Sequence, residues 1–426
     1  MTEIEQAGLP AREAAVHYLE AALARRAGLD EALSTPASVR LDPRERAFAR
    51  ALTMAALRRL GAIDRALAAK LTREPPERVR TLLRLGAAQL FWLGVPDHAA
   101  VSTMVTLADK SKTTRAFKGL VNAVLRGLLR DGPPADDPEA LAPSWLFARW
   151  QAAYGDEQAR AIAAVIAEEP ATDLSVRDPA DAAAVAELVE GEVLPGGSVR
   201  TGRRGDLSEW PAFDEGRWWV QDAGAAIPAR LLGIQPGETA LDLCAAPGGK
   251  TLQLAAAGAT VVALDRSADR LKRVSENLAR VGLEAEIVTA DGILWDDKRT
   301  FDAVLIDAPC SATGTFRRHP DVLWAAAPGD VAKLAAVQRR LLDSAADRVK
   351  PKGRMVYCVC SLEPEEGEAQ IRAFLSRRPD FEIEPIRPDE AGAPPASVSE
   401  GALRILPQHL PGGVDGFYAA RLVRRF

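Results

Sequence analysis

The first part of the chain carries apolar residues at three- and four-residue spacing, the pattern of amphipathic helices. Gly or Pro lies near the ends of the periodic stretches, as at helix boundaries. The clearest examples are AREAAVHYLEAALARRAG, RERAFARALTMAALRRLGAIDRALAAKL, PERVRTLLRLGAAQLFWLG and AFKGLVNAVLRGLLR. No alternating strand pattern interrupts them between residues 10 and 130. The pattern predicts an all-α domain, which we place at residues 1–132.

The next region mixes both kinds of pattern. The stretch RDGPPADDPEALAPS (130–144) is rich in Pro and Asp, which predicts a linker. Beyond it, two helical stretches precede a short strand and a further helix: WLFARWQAAYG, DEQARAIAAVIAEE, TDLSVRD and DAAAVAELVEG. We interpret residues 145–215 as a small α/β connecting segment.

From about residue 217, short apolar strands alternate with amphipathic helices. The predicted strands are TALDLC, TVVALDRS, EAEIVTAD, FDAVLIDAPC, GRMVYCVCS, FEIEPI and FYAARLVRRF. The predicted helices are KTLQLAAA, ADRLKRVSENLARVG, VAKLAAVQRRLLDSAADRVK and EEGEAQIRAFLSRR. This alternation predicts an α/β domain with a mostly parallel, doubly wound sheet at residues 216–426.

Composition narrows the class of protein. A chain of 426 residues, with 47% hydrophobic and 27% charged residues, is typical of a globular protein of two or three domains. No run of about 18 apolar residues predicts a membrane span. The beginning, MTEIEQAGLPAREAAVHYLE, lacks the apolar core of a secretion signal, so we expect a cytoplasmic protein.

The net charge of −5 is distributed unevenly along the chain. Residues 1–130 hold 21 Lys and Arg against 13 Asp and Glu, whereas the remainder holds 33 against 46. A basic first third suggests a polyanionic partner for that third. An Arg-rich, solvated helical surface explains the charge equally well.

The four cysteines argue against a metal site or a disulfide scaffold. They are too few for such a scaffold, and no C-x-x-C pair suggests a zinc knuckle. The four histidines are scattered, so we expect no metal. Cys244, Cys310 and Cys360 each end a predicted strand, where open α/β sheets bind their ligands.

The first predicted strand of the sheet runs into a glycine-containing loop, formed by Cys244, Ala245, Ala246, Pro247, Gly248, Gly249 and Lys250. A phosphate-binding P-loop would need glycine in place of Cys244, and the G-x-G-x-x-G spacing of a dehydrogenase is absent. The remaining interpretation of the loop is that it binds an adenosyl ligand that has no pyrophosphate. Asp265 and Asp291 end the next two strands, where they could bind ribose hydroxyls and the adenine amino group. Each aspartate alone could equally cap a helix, but three such features together favour a ligand.

Two cysteine motifs end the following strands, and we expect them to face one pocket beside this ligand. The first is Asp307-Ala308-Pro309-Cys310-Ser311, and the second is Cys358-Val359-Cys360-Ser361. A single cysteine at a strand end is most often part of the core. Two of them, each followed by serine, favour chemistry, whereas we interpret Cys358 as core packing.

Taken in order, the motifs resemble those of the RsmB/Sun (Fmu) family of RNA cytosine-5 methyltransferases. They are RWWVQDAGA, DLCAAPGGKT, ALDRS, TADG, DAPCSATGTFRRHPDVLW, VCSLEPEEGE and GFYAARL. The stretch PDHAAVSTMVTLADKSKTTRAFKGLVNAVLR is similar to the NusB-like domain of bacterial members. The resemblance covers nearly the whole chain and is weakest over residues 145–215. It implies a Rossmann-like class I S-adenosylmethionine methyltransferase sheet after a NusB-like helical domain.

The resemblance also assigns roles to residues. It implies that Cys360 attacks carbon 6 of the cytosine and that Cys310 assists release. The Cys244–Lys250 loop, Asp265, Asp291 and Asp307 would form the S-adenosylmethionine site, and Asp307 is also the best-placed acid for ring nitrogen 3. In DNA cytosine-5 methyltransferases the Pro-Cys motif holds the nucleophile, but here the second Cys-Ser motif assigns that role to Cys360. The chain departs from the family at Val359, where Thr is usual, and at Gly367, where Asn is usual.

The implied partner is 16S ribosomal RNA, bound by a monomer, with transfer RNA as the alternative substrate. A non-catalytic RNA-binding or assembly factor with the same fold is a further alternative, against which the intact motifs argue. The basic run Arg317-Arg318-His319 follows Cys310, and we predict that it contacts phosphate rather than forming only a solvated loop. The target base must leave its stack to reach the pocket.

Overall fold

A computed structural model describes residues 8–24 and 28–426. The predicted start of the helical domain (1–7) and the predicted helical residues 25–27 lie outside this part of the chain. The chain divides into two compact units. The first runs to Glu169 and includes Arg318–Ala326, and the second comprises Pro170–Arg317 and Ala327–Phe426.

The described residues of the first unit form helices, as predicted. The helices are α1 (Leu9–Ala24), α2 (Gly28–Leu33), α3 (Pro36–Val39), α4 (Pro43–Arg58), α5 (Leu60–Ala68), α6 (Glu77–Trp92), α7 (Asp97–Lys110), α8 (Lys118–Asp131), α9 (Pro138–Leu141), α10 (Ser144–Tyr154) and α11 (Asp156–Ala164), with 3-10 turns at Arg115–Phe117 and Val165–Ala167. The later segment of the unit contributes one more helix, Asp321–Ala325. The long helix predicted around residues 44–71 is broken at Arg59, whose φ of −122° is not helical.

Helix α4 shows how the sequence determines these elements. Asp42 caps its beginning, because its Oδ1 accepts hydrogen bonds from the backbone N–H groups of Arg44 (2.8 Å) and Glu45 (2.9 Å). The apolar face of the helix is fully buried at Leu52 and Leu57, in a core shared with α1 and α6. Each such leucine contributes roughly 1.5–3 kcal/mol through the apolar surface it removes from water.

The Pro- and Asp-rich stretch predicted as a linker belongs to the first unit. Asp136 and Asp137 form ion pairs with Arg59 (3.1 Å) and Arg65 (2.9 Å), and helix α9 follows directly. Surface ion pairs contribute little stability, but these two attach the stretch to α5 and the residue before it. Of the predicted connecting segment, residues 145–169 belong to the first unit with α10 and α11, and residues 170–215 belong to the second.

The second unit combines strands and helices. Its strands are β1 (Thr172–Val176), β2 (Gly191–Val193), β3 (Val199–Thr201), β4 (Trp218–Val220), β5 (Thr239–Leu243), β6 (Thr260–Asp265), β7 (Glu286–Thr289), β8 (Phe301–Asp307), β9 (Val349–Val359), β10 (Phe381–Ile383), β11 (Val398–Ser399), β12 (Ala402–Ile405) and β13 (Phe417–Arg424). Its helices are α12 (Ala182–Leu188), α13 (Ala223–Leu231), α14 (Gly249–Ala256), α15 (Ala268–Val281), α17 (Pro328–Ala346) and α18 (Glu368–Arg377), where α16 denotes Asp321–Ala325 of the first unit.

The large sheet has the strand order β11–β12–β13–β9–β8–β5–β6–β7, and β10 also pairs with β13. Strands β5 to β9 pair in parallel, whereas β10 to β13 pair antiparallel. Leu241 and Leu243 belong to the core on one face and Ala240 to the core on the other, which explains the continuous apolar strands. The predicted Rossmann-like sheet is confirmed.

A smaller antiparallel sheet, β2–β3–β1–β4, precedes the large one. Only β1 was predicted, because the other three strands are three residues long and too short to show alternation. The buried pair of Asp173 and Arg200 (Nε to Oδ1, 2.7 Å) joins β1 to β3. Among the described residues, no helix has the length and apolar content needed to cross a membrane.

Candidate active site

The loop after β5 lies at the carboxyl ends of neighbouring parallel strands. Its backbone is held by β6, because the N–H of Ala245 donates to the carbonyl of Leu264 (2.9 Å). Gly248 has φ of 108°, which favours glycine, and an added Cβ would lie 3.1 Å from Cγ1 of Val274. Packing within the protein therefore requires glycine at 248, in addition to the predicted approach of a ligand. The absence of a side chain there lets α15 pack against the loop.

Asp265 and Asp291 end neighbouring strands, β6 and β7, as predicted. Asp265 is buried, and its two carboxylate oxygens accept from the N–H groups of Ala246 (3.2 Å) and Ser267 (2.9 Å). Asp291 is exposed, and its Oδ1 accepts from the N–H of Ile293 (2.8 Å). Both carboxylates thus shape their own turns, and each oxygen has a second lone pair with which to accept another hydrogen bond.

Lys250 and Asp307 form an ion pair beside the cysteines. Lys250 is 7% exposed, and its Nζ lies 2.8 Å from Oδ2 of Asp307. Burial acts to lower the pKa of Lys250, but Asp307, Cys358 and Cys360 together raise it above its usual value. The lysine is therefore a fixed positive charge. Its contact with Asp307 links the segment that follows β5 to the end of β8.

The two predicted cysteines lie together. Strands β8 and β9 are parallel neighbours, and the Sγ atoms of Cys310 and Cys360, in the loops that follow them, are 3.5 Å apart. The carbonyl of Cys360 accepts from the N–H of Gly314 (3.0 Å), which joins the two loops. Cys358 is buried beneath them, with its Sγ 3.6 Å from Oδ1 of Asp307.

The surroundings of the two thiols differ. The hydrogen bond with Cys360, burial, and the charges of Cys360 and Glu366 raise the pKa of Cys310 well above its usual value. Cys310 therefore keeps its proton at neutral pH, and either thiol could donate the hydrogen bond between them. The positive charge of Lys250 acts on Cys360. The raised pKa makes Cys310 the poorer candidate for a thiolate nucleophile.

A buried carboxylate behind the cysteines was not assigned by the sequence. Glu366 is fully buried and accepts hydrogen bonds from Ser311 and Ser361, the residues that follow the two cysteines. The sequence drew attention to both serines, but Glu366 stands in the acidic run PEEGE, which resembles an exposed loop. Only the fold shows that this acid is part of the site.

The structure corrects the predicted phosphate contact of Arg317. Its side chain is only 2% exposed, and its guanidinium pairs with Asp222 (3.2 Å) inside the second unit. Arg318 and His319 belong to the first unit and are half-buried. Burial and the charge of Arg318 lower the pKa of His319 to about 4, so His319 is neutral at neutral pH. The run is therefore not a continuous cationic surface.

Comparison with known proteins extends these observations to the whole chain. The family described as 16S rRNA methyltransferase RsmB/F matches residues 229–423, and the NusB family matches residues 9–130. A protein of known structure, PH0851, superposes with a TM-score of 0.77 at 24% identity, covering 97% of this chain and 98% of its own. That likeness shows the fold.

Two curated relatives carry the name ribosomal RNA small subunit methyltransferase B. The protein from Cronobacter sakazakii is 36% identical over 422 residues, which cover 93% of this chain and 95% of its own. The protein from Pseudomonas syringae pv. tomato is 38% identical over 439 residues, which cover 97% and 96%. With this identity over nearly its full length, the chain belongs to the 16S rRNA methyltransferase family RsmB/F and carries a NusB-family domain before its catalytic sheet.

Proposed function

We propose that this chain methylates carbon 5 of a cytosine in 16S ribosomal RNA and that Cys360 is the covalent nucleophile. The observation that carries the proposal is the 3.5 Å separation of the Cys310 and Cys360 thiols at adjacent strand ends. Carbon 5 of cytosine is a poor nucleophile, so methylation there needs prior activation of the ring. A thiolate that adds to carbon 6 provides it.

The proposed roles of the chain's residues follow the order of bond changes at the cytosine ring. The Cys360 thiolate forms a bond to carbon 6, and the displaced electron pair makes carbon 5 an enamine carbon that can accept a methyl group. Carbon 5 must then give up its proton to water, and the electron pair of the broken C–H bond restores the ring double bond and expels the Cys360 thiolate. Cys310, which lies against Cys360, is placed to promote this release. The proton on ring nitrogen 3 would come from solvent and be held there by Asp307, whose carboxylate is positioned by the Lys250 ammonium 2.8 Å away.

The residues at the sheet edge fit S-adenosylmethionine, the methyl donor of this family. The Cys244–Lys250 loop would hold it together with Asp265, Asp291 and Asp307, and these carboxylates suit a ligand with hydroxyls, amines and a positive sulfur. When bound, S-adenosylmethionine supplies an electrophilic methyl group. The helical unit would add RNA affinity through its basic surface.

A denaturing-gel assay of Cys310→Ala and Cys360→Ala proteins with 16S RNA and S-adenosylmethionine tests the proposal. We expect Cys310→Ala to accumulate a protein–RNA adduct that survives denaturation, because release is impaired after the bond to carbon 6 has formed. Cys360→Ala should form none, and wild-type protein should turn over. An adduct that appears instead with Cys360→Ala would assign the nucleophile to Cys310. If an adduct formed with transfer RNA and not with 16S RNA, transfer RNA would be assigned as the substrate in place of 16S RNA.

A further inference from the structure

Glu366 is a carboxylate buried completely within the second unit and held by neutral donors. Its oxygens accept from the backbone N–H of Ser311 (2.9 and 3.2 Å), from the Ser361 hydroxyl (2.6 Å) and from Nε2 of Gln338 (3.0 Å). The Ser311 hydroxyl also donates to it. A buried carboxylate is destabilising unless several hydrogen bonds satisfy it. So many donors on one acid indicate a structure built around its charge.

These contacts connect both cysteine loops to one anchor. Ser311 follows Cys310 and Ser361 follows Cys360, and the two serine hydroxyls lie 2.9 Å apart. Gln338, on α17, also donates to the carbonyl of Pro309 (2.9 Å), the residue before Cys310. The Cys310 loop is thus held on both sides of its thiol.

The backbone of Glu366 is fixed as well. The hydroxyl of Tyr357, on β9, donates to the carbonyl of Glu366 (2.6 Å). Tyr357 lies on β9, three residues before Cys360, which directly follows that strand, so the strand that leads to Cys360 also positions the carboxylate. A shift of either cysteine loop would break contacts that share this one side chain.

The charge of Glu366 distinguishes the two thiols. It lies close enough to Cys310 to disfavour a thiolate there, whereas the Lys250 ammonium interacts with Cys360. Glu366 thus contacts the residue that follows each cysteine, and its negative charge acts against a thiolate at Cys310. That charge favours a proton on the Cys310 thiol.

We propose that Glu366 is a positioning residue for the two cysteines: it fixes the loops that hold them and keeps the shared proton on Cys310, so that Cys360 is the nucleophile. The proposal rests on the function proposed above. It assigns Glu366 no contact with RNA or with the methyl donor.

Site-resolved alkylation tests it in the full-length protein without RNA. Wild-type, Glu366→Gln and Glu365→Gln proteins are treated with limiting iodoacetamide from pH 6 to 9, and labelling of Cys310 and Cys360 is quantified by mass spectrometry. Because only thiolates react readily, wild-type protein should be labelled mainly at Cys360. Glu366→Gln should lower the ratio of Cys360 to Cys310 labelling by roughly tenfold, the effect of about one pKa unit. Glu365 is exposed on the same loop, and its variant should match wild type.

A purely structural role predicts another result. If Glu366→Gln only loosened the fold, both cysteines would gain reactivity together and the ratio would stay constant, which would overturn the proposal. In the methylation assay we expect kcat to fall at least tenfold with an unchanged KM for RNA. The ratio is measured without RNA, so failure of the adduct assay and failure of this proposal are distinguishable.

Ser361→Ala provides a second variant if Glu366→Gln does not fold. It removes one donor to the carboxylate and leaves the charge in place, so the Cys360 loop should lose part of its anchor. The thiol separation should then vary, and labelling selectivity for Cys360 should fall by a smaller factor than expected for Glu366→Gln. An unchanged ratio in Ser361→Ala would also overturn the proposal.

Discussion

Arg317 illustrates how one buried side chain joins distant parts of the second unit. Its guanidinium lies 3.2 Å from Asp222 and 3.8 Å from Asp415, and it donates to the carbonyl of Gly412 (2.7 Å). Asp222 in turn caps α13 by accepting from the N–H of Gly224 (2.8 Å). The loop after Cys310 is thereby tied to the beginning of α13 and to the loop before β13.

We expect Arg317→Ala to destabilise the protein strongly, because it leaves two buried carboxylates without their cation. Removal of one partner from a buried ion pair lowers the free energy of unfolding by about 3–5 kcal/mol. Arg44→Ala, at an exposed position on α4, serves as the control and should change it by less than about 0.5 kcal/mol. Urea-induced unfolding measures both. Unchanged stability of Arg317→Ala with weakened RNA binding would restore the phosphate-contact interpretation.

For single residues, the sequence predicted that the two cysteines lie close together, but it did not predict that Arg317 and Glu366 are buried. Cys310 and Cys360 were expected together because parallel strand ends share one edge of a sheet. Arg317 and Glu366 stand in loops without periodicity, where local pattern gives no burial signal. Their partners include Asp222, Asp415 and Gln338, which are far away in sequence and come close only in the folded unit.

Among the elements, the strands with partners on both sides were predictable and the short edge strands were not. Strands β5, β6 and β8 carry continuous apolar runs because helices cover both faces of the sheet. Strand β2 contains three residues and β11 contains two. Strands this short show no alternating sequence pattern and are recognised only by their pairing with a neighbouring strand. The sequence therefore predicted the parallel sheet and missed most of the antiparallel additions.

The loop between β5 and α14 provides a test of element packing. We expect Gly248→Ala to be more destabilising than Gly237→Ala by about 1 kcal/mol, because only the first adds a Cβ close to Val274. Both glycines have positive φ, 108° and 89°, so the backbone strain is similar, and Gly237 faces open space. Differences in the free energy of unfolding check the prediction. Equal losses would mean that strain alone, and not packing against α15, requires glycine at 248.

For the whole molecule, the helical unit carries basic side chains that remain accessible. Lys112, Arg115, Lys118 and Arg126 are exposed along the connection from α7 to α8 and on α8 itself. Arg115 and Lys118 both interact with Asp109, which neutralises part of that charge. These four positive charges are therefore at the surface, whereas Arg12, Arg58 and Arg84 of the same third of the chain are buried.

We expect Lys112→Gln and Arg126→Gln together to weaken RNA binding and reduce its dependence on salt. Each lost phosphate contact should lower the slope of log K against log salt concentration by roughly 0.7–0.9. Lys272→Gln together with Lys298→Gln, at two exposed positions of the second unit, is the control that removes the same number of positive charges. Binding is measured by filter retention at several salt concentrations. Equal slopes for the wild type, the Lys112→Gln and Arg126→Gln double variant and the control would show that Lys112 and Arg126 are not part of the RNA-binding surface.

The discontinuity of the first unit has a consequence for how the chain can be divided. Arg318–Ala326 belongs to the helical unit, and its Trp324 packs against that unit's core. The polypeptide therefore passes between the units three times. A protease that cuts once near residue 169 would leave two fragments, of which the longer still carries a piece of the helical unit. Such a nicked protein should stay associated until it is denatured, and a gene truncated at that point would encode a helical fragment without its last helix.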